Sequence, residues 1–145
     1  MEYYLYNYKV IQPRSKKYLV VDFMEGEKCI ALYNFVVNAF ADRINNELIG
    51  QINTAFENVL TCGIKREFVE GKYSGLDIRF DYTEVFDTYF ECDPNSSNQL
   101  SMFVDTRELY YMLINYIYEV RKFKANPEKY SIDENNKKKL KKVSF

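Results

Sequence analysis

The side chains best placed for chemistry are the carboxylates of one central stretch, Gly75–Asp93, GLDIRFDYTEVFDTYFECD. From residue 67 to residue 93 the chain carries eight acids (Glu67, Glu70, Asp77, Asp81, Glu84, Asp87, Glu91, Asp93) against two bases, Lys72 and Arg79. Paired carboxylates can do acid–base work, and a pair that shares one proton must sit within hydrogen-bonding reach. Leu76, Ile78, Phe80 and Tyr82 alternate with Asp77, Arg79 and Asp81, which is the period of a half-buried strand. On such a strand Asp77 and Asp81 stand roughly 13 Å apart, at about 3.3 Å per residue, which is too far. Asp81 and Asp87 could approach across a hairpin, but the sequence does not give the register.

After a link at Thr83, Phe86, Thr88 and Phe90 alternate with Val85, Asp87, Tyr89 and Glu91. The stretch therefore reads as an antiparallel hairpin with one apolar face and one face of carboxylates and a tyrosine. What that face can do is bind. Carboxylates accept strong hydrogen bonds from arginine and lysine, and an aromatic ring among them anchors a partner. The candidate partner-binding residues are Asp77, Asp81, Asp87, Tyr89, Glu91 and Asp93.

Other chemistry is poorly provided for. The 145-residue chain has no histidine, so Ser-His, Cys-His and His-metal sets cannot be assembled. Its five glycines, at 26, 50, 63, 71 and 75, form no phosphate-cradling loop. Cys29, Cys62 and Cys92 make no CxxC pair and read as reduced, buried thiols in a reducing compartment. No cofactor and no metal are expected, and the chain reads as a non-enzyme.

The elements that must hold the hairpin read as α+β. Tyr3–Ile11 and Tyr18–Phe23 are strand-like, the second apolar on both faces and so expected at the centre of a sheet. Phe40, Ile44, Leu48, Ile52, Phe56 and Leu60 recur every four residues, which predicts a helix over about 30–61. Asn45–Asn46 predict either a bend in it or two consecutive helices. Gly63 stands where a left-handed cap belongs. Ile64–Val69 and Leu100–Val104 are short strand candidates. Asp105 and Glu108 have capping-box spacing and open a second helix over about 106–123, closed by Pro127. A mainly antiparallel sheet with both helices packed on it follows. Residues 1–125 form the single domain, and 126–145 a Lys-rich tail, frayed or a short helix.

Charge divides along the same line. Residues 1–123 hold 13 bases and 18 acids, and residues 124–145 hold 7 bases and 3 acids. An acidic body repels phosphate, which argues against nucleic acid as a partner. A negative field speeds encounter with a cationic protein, and nucleases need basic clefts. The alternative is association with nucleic acid through the run KKKLKK at 137–142. The N-terminus MEYYLYNYKV lacks the layout of a signal peptide, and no run reaches membrane-spanning length, so a cytoplasmic location is expected.

In size, in its histidine-free α+β layout and in the segment VDTRELYYMLINYIYEV at 104–120, the chain resembles bacterial polymorphic-toxin immunity proteins, including those of contact-dependent growth inhibition. The resemblance implies a non-catalytic protein that binds one cognate toxin domain and blocks its active site or a neighbouring exosite. It carries no motif by which a site residue could be transferred.

Overall fold

A computed structural model describes residues 2–87 and 101–145. The fold is α+β, with antiparallel sheets and, among the described residues, three α-helices. Tyr3–Ile11 (β1) and Tyr18–Phe23 (β2) pair antiparallel, Tyr8 opposite Val21. Tyr4, Tyr6 and Tyr8 alternate inward, because a large ring with a polar tip fills a pleated, buried surface well. Among the described strands β2 lies at the edge rather than at the centre. Its Leu19, Val20 and Val21 are buried all the same, since the helical segment after α1 and the last helix both press against it.

Of the two alternatives for residues 30–61, two helices form. α1 spans Ile30–Val36 and runs on into one wide π-helical stretch, Val37–Ala41, which turns Ala39, Phe40 and Ala41 inward. α2 spans Asn46–Thr61. Asn45 is extended, and its side chain accepts from the Leu48 N–H at 3.0 Å, so α2 starts afresh with its own N-cap. Leu48, Ile52, Phe56 and Val59 are its buried row. Gly63, at φ 75°, closes it, and the Ile64 N–H turns back to the Asn58 carbonyl.

A second antiparallel sheet follows: β3 (Arg66–Glu70), β4 (Ser74–Arg79), β5 (Thr83–Asp87) and β6 (Ser101–Val104), in that spatial order. α1 lies on β4 and β5, and α2 on β3 and β4. α3 spans Thr106–Ala125 and stops at Asn126, before Pro127. Its N-terminus is tied to the β4–β5 hairpin by the Thr106 hydroxyl, which bonds the Arg79 carbonyl and lies 2.9 Å from the Thr83 hydroxyl. Asp105 caps it by accepting from the Glu108 N–H. The other half of the capping box is diverted, with the Glu108 carboxylate accepting from the Lys141 N–H at 2.9 Å.

That bond marks the main departure from the expected tail. Lys138–Lys141 is a strand, β7, antiparallel to β1 with Tyr4 opposite Leu140. Beyond it Lys142 bridges Val104 of β6, and the Val143 N–H donates to the Phe103 carbonyl. β7 therefore joins the two sheets, and Leu140 is fully buried in the common core. The lysines are accommodated by the tyrosines of β1. Lys138, Lys139 and Lys142 lie over Tyr8, Tyr3 and Tyr4 at 4.8, 5.5 and 4.5 Å, and Lys142 pairs with Glu25 at 3.0 Å. Among the described residues no helix is long and apolar enough to cross a membrane.

Candidate functional site

The register of β3–β6 decides what each face of the second sheet presents. Asp77 lies opposite Phe68 on β3 and Glu84 on β5, and Glu84 lies opposite Phe103 on β6. Alternation then places Arg66, Phe68, Glu70, Asp77, Arg79, Glu84, Phe86 and Phe103 on the face away from α1 and α2. Val69, Leu76, Ile78, Thr83, Val85, Met102 and Val104 fill the inner face and are buried.

This arrangement corrects the expected acidic face. In β5 the inward row is Thr83, Val85 and Asp87, the reverse of the phase expected from Phe86. A slip of one residue exchanges every side chain between faces. Asp77 and Asp87 thus lie on opposite sides of the sheet, and both are buried, at 7% and 4% exposure. Asp87 accepts from the Asn34 amide of α1 at 2.9 Å. Asp77 is gripped by Arg66 through two parallel bonds of 3.0 and 2.8 Å, with Arg79 3.9 Å away. The bonded carboxylate holds the Arg66 guanidinium above its ordinary pKa. Asp81 sits in the β4–β5 turn and is exposed. Tyr89, Glu91 and Asp93 lie outside the described residues.

The outer face is aromatic and ionic instead. Phe68 is 57% exposed, with the Arg66 guanidinium 4.6 Å from its ring centre. Arg79 lies over Tyr82 at 5.5 Å. Tyr82, Phe103 and Phe145 meet edge-on or tilted, their ring centres 4.8–6.1 Å apart. Gly75 gives Phe86 room to lie against bare backbone. A Cβ there would stand 2.6 Å from the Phe86 ring and 3.0 Å from the Val69 carbonyl. Gly75→Ala should lower stability by about 1–2 kcal/mol in urea unfolding while expelling Phe86 from its seat. An unchanged midpoint would mean that the ring is not held there.

Sequence reasoning missed Arg66, Phe68, Phe103 and Phe145. The alternation Arg66-Phe68-Glu70 in β3 was the available signal. Among the described residues no helix covers this face, and no three His, Cys, Asp or Glu side chains converge to hold a metal. Cys29 is buried, which pushes its thiol up to about 12, while Cys62 is exposed, against expectation. Cys92 lies outside the described residues. A cleft of about 360 Å³ between the α1–α2 break and the β3–β4 turn is lined by solvent-facing polar groups, among them Asn38, Glu47, Gln51 and Lys72. Compared with models of known protein families, with curated proteins and with solved structures, the chain gives no match.

Proposed function

We propose that this is a non-catalytic protein-binding domain of immunity type, which neutralises a cognate, basic toxin domain in the cytoplasm through the outer face of β3–β6. The observation that carries this reading is the outer face of β3–β6, which holds Phe68, Phe86, Phe103 and Phe145 together with Arg66 and Arg79 and which no helix covers among the described residues. Aromatic rings and arginines are the residue types that dominate binding energy at interfaces. Arg66 and Arg79 are engaged with Asp77, which leaves Glu70, Asp81 and Glu84 to offer carboxylates to a cationic partner. Toxin nucleases are cationic where they bind phosphate.

The alternative, nucleic-acid association through the Lys-rich segment, is less well supported. Several of its lysines already lie over tyrosines of β1 within a paired strand.

The test is affinity capture from the host with the tag at the N-terminus, because Phe145 lies on the proposed face. A captured toxin domain should be inhibited at one-to-one stoichiometry by the purified chain. Phe68→Ala with Glu84→Lys should weaken that complex at least tenfold, about 1.4 kcal/mol. A toxin held equally well by this variant moves the interface elsewhere, and recovery of nucleic acid without a toxin favours the alternative.

A further inference from the structure

α3 is apolar on two sides. Its inner side, Leu109, Leu113, Tyr116, Val120 and Phe123, is buried in the core. Its outer side carries a second regular row: Arg107, Tyr111, Ile114, Tyr118 and Arg121, spaced four, three, four and three. That is the spacing of a helix-pairing seam. All five are exposed, and the three central residues, at 73%, 39% and 61%, are large hydrophobics that nothing among the described residues covers. Burying them would be worth more than their present contact with water.

In residue type the row reads the same in both directions, and its positions about Ile114 match to within one residue. Arg, Tyr, Ile, Tyr, Arg is symmetric about Ile114, and a two-fold axis needs a self-complementary surface. We infer that the outer face of α3 pairs antiparallel with α3 of a second copy of this chain, the axis passing beside Ile114. Ile114 then meets its own copy, Tyr111 meets Tyr118, and Arg107 comes level with Arg121. The same operation brings Glu108 toward Lys122, two opposite charges flanking the seam on one side. Within the single chain Arg107 is already laid over Phe80, 4.6 Å from its ring, and Lys122 lies 5.6 Å from the Tyr118 ring and 3.5 Å from Glu119. Arg107 thus has an aromatic surface beside it, Arg121 is exposed, and the contact between Arg107 and the other copy's Arg121 stays at the wet rim.

A helix pair of this length buries less than a standard interface, so association should be weak, with Kd about 1–100 µM. The surface is separate from the outer sheet face, and the pairing does not depend on the function proposed for that face.

Sedimentation of the full chain over a concentration series tests the pairing. The wild type should pass from monomer to dimer. Tyr111→Ala with Tyr118→Ala should raise Kd at least tenfold without changing the melting temperature, since both rings point outward. Orientation is read by cysteine cross-linking with Cys62 and Cys92 replaced by Ser. Ile114→Cys should form a disulfide-linked dimer rapidly. Arg107→Cys should not, because antiparallel helices hold the two copies of position 107 about 20 Å apart. A wild type that stays monomeric at several hundred micromolar overturns the inference, as does a dimer indifferent to the two tyrosines. Cross-linking at 107 instead of 114 does the same. Should the stripe instead bind anionic vesicles while the protein remains monomeric, a membrane surface takes the place of the second copy.

Discussion

A chain ending at Lys137 should not fold. It lacks β7, so Leu140 is missing from the core, the ladder to β1 is gone and the bridge to β6 is lost. Removing a buried leucine costs about 2–5 kcal/mol, and each ladder bond about 1 kcal/mol more. The sum is comparable with the whole stability of a domain this size, about 5–15 kcal/mol. Circular dichroism on heating should show no cooperative transition, and limited proteolysis should leave no resistant fragment. The control is a chain ending at Val143, which loses only Ser144 and the exposed Phe145. That chain should melt close to the wild type. A cooperative transition in the shorter chain would mean that the two sheets hold together without β7.

The second large effect is unfolding in alkali. Burial pushes Tyr4 and Tyr6 up to about 12, and raises Tyr8, Tyr116 and Tyr130 as well. The Cys29 thiol goes up to about 12 for the same reason. Each of these acids keeps its proton longer in the folded state than in the unfolded chain, where a thiol ionises near 8.5 and a phenol near 10. The unfolded state therefore binds fewer protons in this range, and stability falls as pH rises. The contribution is complete below about pH 8.5 and is lost progressively through about pH 12. At 1.36 kcal/mol per unit, Tyr4 and Tyr6 each account for roughly 2–3 kcal/mol. Urea midpoints should be flat to about pH 8.5 and drop steeply above pH 10, and part of the tyrosinate absorbance should appear only together with loss of the far-ultraviolet signal. Smooth titration of every tyrosine ahead of unfolding would show that these rings are open to solvent.

Local signals in the sequence were sufficient for several elements. β1 and β2 matched their aromatic and β-branched runs, α3 began at the Asp105 cap, and α2 ended at Gly63. β7 was illegible because KKLK has one apolar residue, and the surface that accepts its lysine stems is built by tyrosines at the other end of the chain. The candidate site failed for a related reason. Val85 and Phe86 are adjacent and both apolar, so alternation alone allows either phase. The phase is fixed by distant partners: Asn34 on α1 receives Asp87, and Arg66 on β3 receives Asp77. Such contacts exist only once the register does.

The place of β7 also sets an order of events during synthesis. β1 sits between β2, its near neighbour in sequence, and a strand that is translated about 130 residues after it. At about 10 residues per second, the edge of β1 that β7 will occupy waits roughly 10–15 s on the ribosome. A tyrosine-rich strand left unpaired that long is a target for chaperones and for pairing with neighbouring nascent chains. Slow codons late in the message should therefore lower the soluble yield more than the same codons placed early.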